Sequence, residues 1–286
     1  ATRVVTDLAY DFTLADAEVL VMVAETRHLP PEEAYDVVYR TARNAREAGI
    51  PYIYKKTDSA LRGNIGSELT AVMDAAGSDT IAFLPAFPKM GRVTRNGVHY
   101  VDGVPVAESV FGKDPFEPVK ASAVAQIVGG QTEVPVVLHR LDEAAVPGAP
   151  GIQVYDATTD EDLARIGGEL GTERLRLSAG CAGFATALAD VLGLNGTEPQ
   201  MPQLPSAFFV ACGSVNPVTL RQMRWAEQNG FVHIHLEPVQ KLEPAWLESE
   251  DCGIKIRICL EQARNSVRCI LDVNHPMGHD DTAGYP

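Results

Sequence analysis

Short apolar runs alternating with helical periodicity constrain this chain more than any other feature. Val19–Ala24, Tyr52–Lys55, Thr80–Pro85, Val134–His139, Ile152–Asp156, Leu175–Ser178, Ala207–Cys212 and Val232–Leu236 each have the length of one strand. Between several of them lie amphipathic stretches at Pro31–Ala48, Ile65–Ala75, Asp160–Leu170, Ala182–Leu192 and Pro217–Asn229. The first opens on Pro-Pro-Glu-Glu, places Ala34, Val37, Val38, Ala42 and Ala45 on one face, and stops at Gly49. Strands separated by helices of this length run parallel, so the spacing predicts an α/β fold: a mostly parallel sheet with helices on both faces. Asn96–Val106 breaks the alternation. Its β-branched and aromatic residues flank Asp102-Gly103, a type I′ signal. Such a hairpin can line a site, pair with another subunit, or stand passively at the surface.

Leu194–Pro205 carries three prolines in twelve residues and no periodicity. It reads as a linker between a domain at 1–200 and a segment at 206–286 that is short for an independent core. A chain of 286 residues that is 45% hydrophobic buries a real core. Its net charge of −14 argues against nonspecific binding to nucleic acid or to an anionic membrane. No apolar run reaches the roughly 18 residues that span a bilayer. The five cysteines are odd in number, form no CxxC, and follow no signal peptide, so reduced thiols in a soluble, cytoplasmic protein are expected.

Cations gather locally on this acidic chain. Positions 55–95 hold Lys55, Lys56, Arg62, Lys89, Arg92 and Arg95 against Asp58, Glu68, Asp74 and Asp79, a net +2 suited to a small anionic ligand. The densest stretch is Tyr54–Leu69, where a strand ends in two lysines, a polar turn follows, and a helix begins after Gly63-Asn64. Helix-start N–H groups beside an arginine fork suit a carboxylate or phosphate. Four polar segments are expected at the carboxyl edge of one sheet: Glu25–His28, Lys55–Asn64, Pro88–Arg92 running towards His99, and Ser178–Gly183. Asp58, flanked by Lys56 and Arg62, either serves as a base or only orients Arg62. His28 and His99 are the other candidate bases, or structural histidines.

Phe208–Thr219 offers a second anion-ready turn, with Pro217 near the first turn of a helix. No GxxxxGK[ST] and no GxGxxG after a strand exist, so neither a Walker loop nor a Rossmann site is supported. His275, His279, Asp280 and Asp281 match no zinc spacing and read as a polar tail. Lys55 or Lys56 as a Schiff-base lysine of an isomerase or aldolase has only the lysines in its favour.

KKTDSALRGNIGSEL, FLPAFPKMGRVTRNGVHYVDGVPVAES, FGKDPFEPV, the Ser178–Gly183 turn and CGSVNPVT, in this order, resemble the four-carbon acid sugar kinases across nearly the whole chain. The resemblance implies ATP- and Mg2+-dependent phosphorylation of the terminal hydroxyl of erythronate, threonate or an oxo-tetronate. It implies an N-terminal acid-sugar domain and a C-terminal nucleotide domain; a homodimer, which the Asn96–Val106 hairpin could pair, is a possible assembly. Carried over by position, Arg27, Lys56, Asp58, Ser59, Arg62 and Asn64 hold the acid, Asp58 and Arg62 being the catalytic pair. Lys89, Arg92, Gly180 and Gly183 complete that pocket, and Gly213, Ser214 and Asn216 meet ATP phosphates. The family's opening Asp-Asp-Leu-Thr-Gly-Ala loop is absent, as is its Gly-Gly-Asp/Glu-Thr motif beyond residue 270, and Cys181 stands where serine is usual. On these departures the chain reads as a kinase truncated at both ends. The alternative is a non-catalytic acid-sugar-binding homologue without a complete ATP site.

Overall fold

The computed structural model describes residues 1–286 except 115–116, 146–148, 195, 197–202, 204–207, 215–216, 238–239, 241–242, 266–267 and 273–286. The chain divides into two compact units, Ala1–Thr197 and Glu198–Pro286. Most of the proline-rich stretch 194–205, together with Asn216, His275, His279, Asp280 and Asp281, lies outside the described residues.

The first unit is built on a five-stranded, all-parallel sheet. Its strands are β3 (Ile53–Lys56), β4 (Thr80–Leu84), β8 (Val136–His139), β9 (Gly151–Tyr155) and β10 (Leu177–Gly180), in the order β3-β10-β4-β9-β8. The middle strands are mostly apolar because both faces are covered. On β4, Ile81 and Phe83 face one helical layer, α1 (Pro31–Glu47), α2 (Ile65–Ala76) and α3 (Val124–Gly129). Ala82 and Leu84 face the other, α4 (Asp160–Arg174) and α5 (Ala182–Val191). Alternation along one strand therefore divides the core into two halves.

Local chemistry sets the helix limits. Thr159 caps α4 through the N–H of Asp162, whose carboxylate bonds back to the Thr159 N–H. The regular turns of α4 break at Gly171, where φ is 67°. β5 (Arg92–Arg95), β6 (Val98–Val101) and β7 (Val104–Pro105) form an antiparallel ribbon. Asp102-Gly103 turns β6 into β7 with φ 51° and 81°. Asn96-Gly97, the same signal left unused in the sequence reading, turns β5 into β6 with φ 52° and 72°. The ribbon is docked, not free: the Gly97 N–H donates to Asp156 Oδ1 at 3.0 Å, and Thr94 bridges to Ala157.

One expectation fails. Val19–Met22 (β2) does not join the five-stranded sheet but pairs in parallel with β1 (Thr2–Val5) in a separate two-stranded sheet. The four polar segments therefore do not leave a single sheet. Side chains fill that role instead: Asn64 Nδ2 donates to the carbonyls of Thr26 and Leu29 at 2.9 and 2.8 Å, and Thr26 bonds Glu68.

The second unit holds a parallel sheet ordered β11-β13-β12, from β11 (Phe209–Cys212), β12 (Val232–His235) and β13 (Cys269–Asp272). Helix α6 (Pro217–Gln228) follows β11, and Met223 and Ala226 on it pack on Ile270. The helix α7 (Glu250–Arg264) was not legible because Ile254, Ile256, Ile258 and Leu260 alternate with a strand's period. Coiled as a helix, they are scattered around it and stay 42–54% exposed.

Gly66, in the first turn of α2, shows how closely the helices pack. A Cβ there would overlap the Val128 carbonyl oxygen of α3. Gly66→Ala should therefore destabilise the chain by ~1–3 kcal/mol although alanine favours helix. Urea denaturation of both proteins checks the sign.

Candidate functional site

Lys56, Gly180 and Leu84 stand side by side at the carboxyl ends of β3, β10 and β4. The loops leaving them carry most of the candidate residues, at the edge where open parallel sheets bind ligands. Asp58 organises this edge. Its Oδ1 accepts from Arg27 Nη2 and Arg62 Nη2, both at 3.1 Å, and its Oδ2 accepts from Arg62 Nε at 3.1 Å and from the Ala60 N–H at 3.0 Å. Arg62 thus meets Asp58 with a two-pronged fork, while its Nη1 reaches Asp114 Oδ2 at 3.1 Å. The guanidinium of Arg62 lies 4.9 Å from the Phe111 ring centre, and that of Arg92 lies 5.7 Å from it.

These contacts decide the charges. Burial raises the Asp58 carboxyl, but the bonds and charge of Arg62, with the N–H groups of Arg62 and Ala60, outweigh it and hold the group below the ordinary carboxylate range. Arg62 is pushed up, first by its hydrogen bond to Asp58. An Asp58 so engaged is a weak base and a firm orienting group. Arg62 is itself partly enclosed: only 23% of its side chain is accessible, and its loss would take a cationic partner from both Asp58 and Asp114.

His99 is fully buried between the ribbon and the Asp58 loop. Its Nε2 lies 2.9 Å from the Ser59 carbonyl and its Nδ1 3.1 Å from Thr94 Oγ1. A carbonyl only accepts, so Nε2 carries the proton and Nδ1 accepts from Thr94. Burial depresses its pKa to about 4, leaving a neutral latch for Ser59. His28 is exposed and pairs with Glu117 at 2.7 Å.

The helix start expected to be open is partly closed. Gln131 Oε1 accepts from the Gly66 N–H at 2.8 Å while its Nε2 donates to the Gly63 carbonyl at 2.9 Å. Lys55 is likewise engaged, by Glu68 at 2.6 Å. The glycines Gly180 and Gly183 serve close packing: a Cβ on Gly183 would sit 2.7 Å from the Ala86 carbonyl, and one on Gly180 2.7 Å from the Tyr54 hydroxyl. That hydroxyl donates to the Cys181 carbonyl at 2.7 Å, and burial raises the Cys181 thiol pKa. Lys56 and Lys89 are exposed and have no ion-pair partner among the described residues. Thr57 Oγ1 and Arg92 Nε are buried here with no hydrogen-bond partner among the described residues.

Sequence reading missed Asp114, Phe111, Gln131 and Thr57. The first two lie inside the quoted block FGKDPFEPV, so their signal was present, but only folding sets them against Arg62, about fifty positions earlier. In the second unit, Gly213 and Ser214 are exposed between β11 and α6, with Ser214 Oγ 3.2 Å from Thr219 Oγ1. A cavity of ≈ 720 Å3 opens at the opposite, amino-terminal edge of the five-stranded sheet, beside Ile53, Thr80, Arg46 and Arg174; none of the sequence candidates lines it.

Residues 1–188 match the family described as the sugar-binding N-terminal domain. D-threonate kinase of Salmonella typhimurium is 33% identical over 261 residues, which are 86% of this chain and 59% of that protein. D-threonate kinase of Bordetella bronchiseptica is 37% identical over 189 residues, 63% of this chain and 46% of its own length. D-erythronate kinase of Heliobacterium modesticaldum is 30% identical over 250 residues, 82% and 56% of the two chains. The chain thus spans less than two thirds of the length of these relatives. A Salmonella typhimurium structure described as a putative tRNA synthase superposes with a TM-score of 0.77 at 21% identity, over 95% of this chain and 68% of that one, a likeness of fold. A Bordetella bronchiseptica structure, described as a domain-swapped dimer with bound citrate, matches at 0.60 and 26% identity over 99% and 71%. The chain belongs to the four-carbon acid sugar kinase family and carries its sugar-binding N-terminal domain. Among the described residues no helix is long and apolar enough to cross a membrane.

The buried, neutral His99 makes a pH prediction. Its folded pKa lies below the unfolded value of 6.5, so the stability tied to its neutral form is whole above pH 6.5 and is lost as pH falls towards 4. The stability advantage of wild type over His99→Gln, read from urea melts at pH 7 and pH 5, should therefore shrink at the lower pH.

Proposed function

We propose that the chain is the acid-sugar-binding unit, with part of the nucleotide-binding unit, of an ATP-dependent kinase. It would act on the terminal 4-hydroxyl of erythronate, threonate or 3-oxo-tetronate. One observation carries this reading: on a chain of net charge −14, Lys56 at the end of β3, Arg27 and Arg62 on loops and Arg92 at the start of β5 gather around Asp58 and Phe111, where Thr57 Oγ1 and Arg92 Nε are buried with no hydrogen-bond partner among the described residues. A polyhydroxy acid supplies what this edge lacks, a carboxylate for the cations and hydroxyls for the unpaired polar atoms.

In this reading Lys56 and Lys89 are the free charges that meet the acid. Asp58 positions the Arg27 and Arg62 guanidiniums, and Ser59, held through its carbonyl by His99, presents its hydroxyl. Asn64 acts at one remove by fixing the Thr26–Leu29 backbone that carries Arg27. Gly213 and Ser214, with Asn216, are the residues that would receive ATP phosphates at the start of α6. ATP supplies the phosphoryl group and Mg2+ offsets its charge; the rest is positioning. The relatives named as threonate and erythronate kinases support the substrate class, and the citrate of the Bordetella structure supports an anionic ligand. The domain-swapped dimer described for that protein supports a homodimer here. A cytoplasmic location belongs to the same reading, in keeping with an odd number of cysteines and no CxxC pair.

The alternative, a binding protein without catalysis, draws on a specific observation: Asp58 is saturated with donors and His99 is a buried latch, so neither is placed as a proton acceptor.

Calorimetric titration with D-threonate, L-threonate and D-erythronate, each with and without Mg-ATP, tests both readings. Lys56→Ala should weaken acid binding about tenfold with unchanged thermal stability. Acid binding with ADP release supports the kinase, and acid binding alone the binding protein. If none of the acids binds, both fail.

A further inference from the structure

β12 and β13 lie parallel with His235 in register with Asp272 and His233 two residues earlier on the same face. The consequence is a convergence on one oxygen: His233 Nε2 lies 3.0 Å, and His235 Nδ1 2.9 Å, from Asp272 Oδ2. The three donor atoms all fall within 4.8 Å of one another. We propose that His233, His235 and Asp272 bind a divalent transition-metal ion, with zinc the first candidate.

The donor set selects the ion class. Two imidazoles and one carboxylate suit zinc, copper, nickel or iron(II), whereas magnesium and calcium take oxygen ligands. The donor set is therefore not one for the Mg2+ that would accompany a nucleotide. Bonds of about 2.0–2.2 Å in a tetrahedron separate ligand atoms by roughly 3.3 Å. The nitrogen–oxygen distances here need to open by only a few tenths of an ångström. An ion between these groups replaces the two N–H donors that Asp272 now accepts from, and it puts a full opposite charge beside a carboxylate that is 6% accessible.

Two further features fit a metal site better than a polar cluster. The other ring nitrogen of His233, Nδ1, stands 3.7 Å from Glu227 Oε1 on α6, the outer carboxylate that commonly orients a ligating histidine. Access exists as well: the His233 and His235 side chains are 22% and 37% accessible beside the nearly buried Asp272. Three protein ligands leave a coordination position open for water or for an atom of a bound molecule. Asp272 is also in register with Cys212, which directly precedes the Gly213-Ser214 turn. The ion would therefore stand at the sheet edge proposed to receive phosphates.

The pattern His-x-His on a strand, with an aspartate on the neighbouring strand, has no contiguous sequence signature. His233 and Asp272 are 39 positions apart. The site does not depend on the acid-sugar reading and can be tested apart from it.

The test uses the whole chain, stripped with a chelator, then titrated with Zn2+ by calorimetry and with Co2+ by visible absorption. Wild type should bind one equivalent of Zn2+ with a dissociation constant of about 10 μM or tighter, and Co2+ should give bands of a nitrogen–oxygen site. His233→Asn and His235→Gln keep an amide able to bond Asp272, so they should fold, as far-UV circular dichroism will verify. Each should weaken Zn2+ at least about tenfold, while Glu227→Gln weakens it less and His28→Ala leaves it unchanged. The proposal is overturned if wild type fails to bind Zn2+, if both strand variants bind it like wild type, or if Co2+ shows thiolate charge-transfer bands.

Discussion

A parallel strand covered by helices on both faces admits a polar side chain only where that side chain finds a partner inside the core, as Gln153 does with His139. That constraint governs the first unit. β9 and β10 are buried from end to end, and β4 from its second residue, so the charged groups gather where the strands stop. Helices that begin after those strands aim their N-termini at the same edge, and the loops there inherit a favourable place for negative charge. The opposite edge has a cavity of ≈ 720 Å3, yet the chain put its paired lysines, Asp58 and Ser59 at the carboxyl ends.

At that edge the principal interaction is between Asp58 and Arg62. A carboxylate able to accept from two arginines and two backbone N–H groups fixes its own loop and Arg27 together. Asp114 and the Phe111 ring hold the far side of Arg62. The site is preorganised by this arrangement, since the cations are set before any ligand arrives and lose little freedom on binding. The same arrangement makes Arg62 as much a structural residue as a binding one. Lys56 and Lys89, exposed and without an ion-pair partner among the described residues, are the groups proposed to meet the anion.

The architecture was legible from periodicity because buried parallel strands and amphipathic helices leave different patterns. Val19–Met22 was read correctly as a strand, but its partner was not, since a period of two says which face is buried and nothing about which edge is paired. The β13 strand, four residues long, was too short to show a period, and α7 was masked by an alternation that belongs to strands. At the site, Asp58 and Arg62 were legible because they are four positions apart on one loop. Gln131, which closes the helix start they flank, was not, because 65 residues separate it from Gly66.

The sequence by itself therefore determined the kind of layer each segment joins, the edge at which polar residues collect, and the family resemblance, all of which depend on neighbouring positions. Tertiary structure decided which of those polar residues are engaged and which are free. Asp58 became an orienting carboxylate, His99 a neutral latch, and Lys56 an exposed cation with no ion-pair partner among the described residues, while two histidines on one strand came to share an oxygen of an aspartate on the next. Charge state and availability depend on burial and on partners distant in the chain, and these exist only once the strands are paired.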